Sequence, residues 1–174
     1  MILRLSKAFM CLALAAFGLI VAYDNVIDHG TNDAFVRHVL AMDTIFPNSV
    51  LRTRAITDPT LVQLGYAAII AGEALTGLLF LIGGLSMLRH ISRPAPFDSA
   101  KVWIVAGATV GFLVWFAGFM VVGSEWFQMW QSQTWNGQQP AFRFYITILA
   151  VLIYVQQPER DLPQSAESQR ASEG

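Results

Sequence analysis

Residues 61–88 read LVQLGYAAIIAGEALTGLLFLIGGLSML, an almost unbroken apolar run with one acidic residue, Glu73, near its middle. About 20 apolar residues cross the hydrocarbon core of a bilayer as an α-helix, so this run is long enough to cross with tilt. Because an ionised carboxylate in hydrocarbon is costly, we expect Glu73 to face the inside of a helix bundle or to be protonated. The run therefore predicts a membrane-spanning helix with one polar side.

Three further apolar runs flank this one, at residues 8–23, 102–123 and 141–155. The first run follows Arg4 and Lys7, a pattern found both in membrane anchors and in cleaved secretory signals. The small residues that could form a cleavage site, Ala13–Ala16, lie deep in the run, so we expect a retained anchor. The sequence predicts an all-α membrane protein, a four-transmembrane-helix bundle formed by one domain, residues 1–155. Residues 156–174, rich in Gln, Ser, Glu and Pro, are expected to be a disordered cytoplasmic tail.

The composition supports this class and excludes others. The chain is 55% hydrophobic and only 13% charged, where globular chains have about 25% charged residues. Its formal charge of −1 provides no basic surface for nucleic acid. The lone Cys11 lies in an apolar run and is interpreted as a packing residue. No apolar run contains a histidine, which excludes a bis-His haem inside one chain, and no Walker loop or nucleophile elbow occurs.

The distribution of Lys and Arg predicts the orientation. Seven of these residues lie on the side of the chain termini, namely Arg4, Lys7, Arg89, Arg93, Lys101, Arg160 and Arg170. Four lie on the opposite side, Arg37, Arg52, Arg54 and Arg143. The positive-inside bias places both termini in the cytoplasm, in a bacterial inner membrane. The connections 24–59 and 124–139 then face outward together.

The outward connection 24–59 contains a helical pattern, TNDAFVRHVLAMD, at residues 31–43. Thr31 or Asn32 is positioned to cap a short amphipathic helix, about residues 32–43, with an apolar side of Phe35, Val36, Val39, Leu40 and Met42. Asp33 and Arg37 form an i,i+4 pair on the other side. Such a helix lies flat on the outer interface or covers the bundle. His38 sits at the edge of the apolar side, and Asp43 either follows the helix end or projects into that side.

Small residues predict how the helices pack. Gly77 shares a stripe of the 61–88 helix with Tyr66 and Glu73. In the third run, Gly107, Gly111 and Gly118 fall on one face, and Gly107 and Gly111 form a small-xxx-small motif that lets another backbone approach closely.

The remaining polar and aromatic residues cluster near the outer ends of the runs. Trp126, Trp130 and Trp135 are typical of an aromatic belt at a membrane interface. Arg143, one turn into the fourth run, either extends outward to the interface or pairs with Glu125 or Glu73, and its depth favours Glu125.

These residues carry a resemblance to a known family. The chain, over about residues 8–155, resembles the DUF2165 family of predicted small integral membrane proteins. The resemblance rests on Asn32, Phe35, Val36, His38, Val39, Leu40, Met42 and Asp43, on Gly72 and Glu73, on Glu125, Trp126, Phe127, Met129, Trp130, Gln131 and Ser132, and on Trp135, Asn136, Ala141, Phe142 and Arg143. It implies a bacterial inner-membrane protein of four helices and brings no activity with it.

Two functions remain open. The first is an accessory or structural subunit, without enzymatic activity, that docks a membrane complex or a second copy through its glycine faces and outer loops. The second is a metal- or quinone-binding site at the periplasmic interface, formed by His38, Asp43, Glu73, Glu125 and Arg143, with His38, Asp43 and Glu125 as the candidate metal ligands. We predict no obligatory cofactor and no partner other than membrane lipid and membrane protein.

Overall fold

The computed structural model describes residues 1–159, and within them every regular element is helical. The helices are α1 (Ile2–Ile27), α2 (His29–Ala41), α3 (Pro59–Arg89), α4 (Pro94–Phe112) and α5 (Gln138–Gln156), with 3₁₀ turns at Val50–Arg54 and Met129–Gln131. α4 continues directly into a π-helix, Leu113–Trp126. Four helices are long and apolar enough to span a membrane: α1, α3, α4 with its π-helical continuation, and α5. The predicted all-α fold, with α2 as the short helix between the first two spans, is confirmed.

α1 and α3 pack closely enough for their backbones to touch. A Cβ atom at Gly18 would lie 2.9 Å from the backbone nitrogen of Gly77, and one at Gly77 would lie 2.7 Å from the nitrogen of Leu19. Only glycine permits this approach, which lets the two helices make extensive contact. Gly77 and Gly84 of α3 face α1, and the other buried residues of α3 include Tyr66, Glu73, Thr76 and Phe80.

α4 and α5 complete the bundle. Gly107 lies against Phe80 of α3, and Gly111 lies between Thr76 of α3 and Ile148 of α5. The glycine faces of α3 and α4 are therefore filled by helices of the same chain. On the outside, large apolar side chains are exposed along the spans, among them Leu64, Leu75, Leu78, Ile82, Val105, Leu113 and Ile153, and form the surface that meets lipid.

α2 begins earlier than the sequence predicts. It starts at His29, directly after a bend at Asp28, and no side chain caps it, so the cap predicted at Thr31 or Asn32 is wrong. Asn32 instead donates its side-chain amide to the Asp28 carbonyl at 3.4 Å. The cap is absent because α1 continues to Ile27 and the Asp28 bend joins the two helices almost directly.

The predicted Asp33–Arg37 pair forms, but Asp33 is buried and also accepts a hydrogen bond from Gln63 of α3. It therefore fastens α2 to α3 instead of lying on a free polar face. The hydrogen bond from Arg37 is the main reason that the pKa of Asp33 lies below its usual range. The carboxylate is thus held ionised where it joins the two helices.

An ion-pair network closes the end of the bundle at which α1 begins and α5 ends, which we call the terminal end. The Glu159 carboxylate lies 2.6 Å from Lys7 Nζ, 3.2 Å from Arg4 Nε and 3.3 Å from Lys101 Nζ. Burial raises the pKa of Glu159, but the hydrogen bond and charge of Lys7, with those of the other two cations, lower it below its ordinary value. Residues 157–159 of the predicted tail are thus tied to α1 and α4, and residues 160–174 lie outside the described part of the chain.

The glycine contact between α1 and α3 can be tested by adding one methyl group. Gly77→Ala places a Cβ against backbone atoms that cannot move aside, and we expect a loss of stability of about 1–3 kcal/mol from overpacking. Gly65→Ala is the matched control on the same helix, because its Cβ would lie at an ordinary 3.7 Å from the Leu40 side chain. Thermal unfolding in detergent measures both, and an equal melting temperature for the two variants would contradict the close packing.

Candidate functional site

The buried carboxylate of Glu73 is paired with an amide of α1. Glu73 is 2% exposed, and Asn25 Nδ2 donates to its Oε2 at 2.6 Å. The Tyr66 hydroxyl donates to the backbone oxygen of the same Asn25, also at 2.6 Å, and the His29 ring meets the Tyr66 ring edge-on at 4.9 Å between centroids. One ring contact and two hydrogen bonds thus connect the exposed His29 with the buried Glu73 through Tyr66 and Asn25.

The two other charged residues expected near Glu73 lie elsewhere. Glu125 and Arg143 are both exposed, and within residues 1–159 neither side chain forms an ion pair. The predicted pairing of Arg143 with Glu125 or Glu73 is therefore not formed. Arg143 instead lines a groove between α1 and α5 with Thr147. Depth along the helix was a poor guide because it does not determine which side of the bundle a residue faces.

His38 and Asp43 come together at the end of α2. The helix stops at Ala41, Met42 takes a left-handed backbone conformation with φ of 52°, and the chain reverses so that Asp43 faces back. His38 Nδ1 lies 2.7 Å from Asp43 Oδ2. The carboxylate accepts a hydrogen bond from Nδ1–H, so Nε2 of the imidazole is left for another partner. Of the two alternatives for Asp43, the structure has the one in which it follows the helix end.

Trp135 provides a platform for this pair. Its indole stacks on the His38 ring at 4.5 Å between centroids with an interplanar angle of 12°. The other side of Trp135 meets Phe35 edge-on at 6.3 Å, and Phe35 stacks on Phe119 of the π-helix at 6.1 Å. Aromatic contacts thus connect the half-buried His38 with the interior beneath α2. The two other belt residues, Trp126 and Trp130, are exposed at the same end of the bundle.

A cavity of about 190 Å³ lies beneath α2. Its walls are almost wholly apolar and come from α2 (Phe35, Val36, Val39, Leu40), α3 (Gly65, Ile69), the π-helix (Gly118, Phe119, Val122, Gly123) and the following loop (Phe127, Met129). A cavity of about 150 Å³ with such walls accommodates a benzene ring. The space beneath α2 is therefore large enough for a six-membered ring.

Two local features keep this cavity open. The π-helix is 14 residues long, whereas π-helical geometry is usually confined to single-turn bulges, often at functional sites. At Gly118 an added Cβ would meet only the Leu113 carbonyl of its own segment, at 3.7 Å. Gly118 was predicted as a packing residue, but it borders open space here, unlike Gly107 and Gly111.

The predicted site is thus divided into separate parts. His38 and Asp43 form one pair, Tyr66 and Glu73 meet through Asn25, and Glu125 and Arg143 join neither. Within residues 1–159, no three His, Cys, Asp or Glu side chains are grouped so that they could hold a metal ion. The proposed metal-ligand set of His38, Asp43 and Glu125 is therefore not assembled in the described structure.

Two residues that hold this end of the structure together are not identified by the sequence patterns. Asn25 falls in the predicted connecting loop because the first apolar run ends at Tyr23 in the sequence, whereas α1 extends to Ile27 in the structure. Gln131, whose Oε1 accepts from the Phe46 backbone nitrogen at 2.9 Å, was noted only as part of the family pattern. Amides at the ends of apolar runs, where buried partners need donors, are the signal that could have identified both.

Comparisons with known proteins add one match. A family model described as a predicted small integral membrane protein, DUF2165, matches residues 3–158. No curated protein matches the chain, and no solved structure does.

The bond between Asn25 and Glu73 can be tested with a double-mutant cycle. We expect Asn25→Ala to destabilise the protein by about 1–3 kcal/mol, because it leaves a buried carboxylate without its donor. In a Glu73→Leu background no carboxylate needs that donor, so the same change should cost much less. Thermal unfolding in detergent gives the coupling, and equal losses in both backgrounds would show that the two side chains do not depend on each other.

Proposed function

The chain belongs to the DUF2165 family of predicted small integral membrane proteins, whose model covers most of its length, and we propose that it binds a lipid-soluble quinone beneath α2. The observation that carries this proposal is the position of the apolar cavity next to the aromatic series that ends at His38. An apolar pocket with a few convergent polar groups is the usual form of a small-molecule site. A quinone has a matching form, with an aromatic-like ring, polar oxygens and an isoprenoid tail.

His38 does not line the cavity, but it is connected to the lining residue Phe35 through Trp135. The His38–Asp43 pair would offer a polar contact to a ligand oxygen that extends past these two rings. With the Nδ1 proton directed to Asp43, the neutral imidazole accepts a hydrogen bond at Nε2 from a quinol hydroxyl. Once protonated, the same nitrogen donates to a quinone carbonyl. The stacked Trp135 holds the imidazole plane in place, so the histidine can serve both forms of the ligand without reorienting.

We also propose an orientation and a location. The protein would lie in a bacterial inner membrane with both termini in the cytoplasm and α2 on the periplasmic side. The support is the distribution of its 11 Lys and Arg residues, most of which lie on the side of the termini. The quinone would then bind in the outer half of the bilayer.

An accessory role in a larger membrane complex is the second candidate. Exposed apolar side chains on the loops at the α2 end favour it, in particular Phe46, at 53% exposure, and Val50, at 84%. The glycines at Gly77, Gly107 and Gly111 do not support docking, since helices of the same chain lie against them. Purification in mild detergent tests this role, and recovery of the protein only as a monomer without a second component would contradict it.

The quinone site can be closed by filling the cavity. Gly118→Leu puts a side chain into the open space beneath α2, and we expect it to abolish saturable binding of a short-chain benzoquinone, measured by quenching of tryptophan fluorescence. His38→Ala removes one polar contact and should weaken binding about fivefold. Gly30→Leu is the matched control, because an added Cβ at Gly30 would meet no atom within 4 Å and Gly30 does not line the cavity.

Three outcomes decide the result. Binding that is lost in Gly118→Leu, reduced in His38→Ala and retained in Gly30→Leu supports the site. Unchanged affinity in Gly118→Leu would place the quinone elsewhere. Quenching that never saturates in the wild type would show that the probe only dissolves in the detergent, and the proposal would fail.

A further inference from the structure

A second cavity lies in the groove between α1 and α5, on the lipid-facing side of the bundle. Its volume is about 510 Å³, and its walls include Met10, Leu14 and Phe17 of α1 and Phe144 and Val151 of α5. The rings of Phe17 and Phe144 lie 4.7 Å apart. At the terminal end, the hydroxyls of Ser6 and Tyr154 lie 2.6 Å apart and hold α1 and α5 together. The groove is thus largely apolar, and the two helices that form it are fastened together at that end.

Among the described residues, Arg143 is the one charged residue that lines this groove. It is exposed, and within residues 1–159 its side chain has no hydrogen-bond or ion-pair partner. The neighbouring Thr147 donates its hydroxyl to the Arg143 backbone oxygen at 2.7 Å and so does not bind the guanidinium. A cation at the edge of hydrocarbon needs an anionic partner, and the guanidinium matches a phosphate with two parallel hydrogen bonds.

The depth of Arg143 fits a lipid headgroup. It lies about 8 Å from the start of α5, at 1.5 Å per residue, which is a depth from which an arginine reaches the interface. From Arg143 the groove continues along α5 for about 12 Å to Val151, which lies just past the middle of the helix. A phospholipid with its phosphate at Arg143 and an acyl chain in the groove would therefore have the same orientation as the other lipids of that leaflet.

We propose that this groove binds one anionic phospholipid, with its phosphate on Arg143 and an acyl chain along α1 and α5. A helix from a second copy is a poorer occupant because the groove is much shorter than the roughly 30 Å of a membrane crossing. Close helix pairs in membranes also use small residues, glycine above all, and among the described residues the lining of the groove contains Ala13 and Thr147 but no glycine. The inference is independent of the quinone site.

Native mass spectrometry after purification in mild detergent tests the proposal, with phosphatidylglycerol and phosphatidylcholine added as competing probes. We expect one phosphatidylglycerol to be retained by the wild type, and Arg143→Gln to weaken its retention about fivefold. Ala13→Phe should also weaken it, because the ring fills the groove while Arg143 stays. The matched control is Arg54→Gln, which removes the same charge from an arginine that stacks on Trp126 outside the groove.

Equal loss of phosphatidylglycerol in Arg143→Gln and Arg54→Gln would show general charge attraction and overturn the site. Phosphatidylcholine has the same phosphate, but its choline cation cancels the charge, so equal retention of the two lipids by the wild type would overturn the proposed preference for an anionic lipid. A dimer that Ala13→Phe dissociates, with lipid retention unchanged, would assign the groove to a second copy. The melting temperature of Arg143→Gln in detergent alone should match that of the wild type, because this side chain has no partner within residues 1–159, and this match separates lipid binding from folding.

Discussion

The backbone contact between Gly18 and Gly77 is the constraint on which the rest of the structure depends. Lipid chains are as apolar as the helix surfaces, so burial alone gives membrane helices little reason to associate, and close packing has to provide it. With no side chain between them, α1 and α3 approach until their backbones touch. This distance brings Asn25 within 2.6 Å of Glu73 and allows a carboxylate to be buried inside the bundle.

The same pairing determines where α2 lies. Because α1 ends at Ile27 and the bend occupies a single residue, α2 starts against the top of α3 and is fastened there through Asp33 and Gln63. The π-helix, on the far side, leaves Gly118 facing open space. A helix fixed on one side and a widened helix on the other leave a ring-sized cavity between them, and Phe35 of its lining is connected through Trp135 to His38.

The sequence predicted the helices well because apolar length and small-residue spacing are local properties. It placed Glu73 inside the bundle for the same reason, since hydrocarbon excludes charge. The sequence did not predict Asn25 as the partner of Glu73, because a contact between α1 and α3 depends on the relative axial positions of the two helices. No local sequence pattern determines those positions. The His38–Asp43 pair depends on the left-handed turn at Met42, and Met is not a residue that predicts such a turn. The ion network at Glu159 joins three helices and was likewise not visible in any one segment.

The central claim, that the space beneath α2 receives the ring of a quinone, is tested most directly by photo-crosslinking. A benzoquinone analogue with a photoreactive group on its ring would be activated in membranes that contain the protein, and the labelled peptides mapped by mass spectrometry. The account predicts labels on cavity residues such as Phe35, Phe119 and Met129, removed by excess unlabelled quinone. Labels spread over exposed lipid-facing residues such as Leu78 and Ile153, without competition, would contradict it.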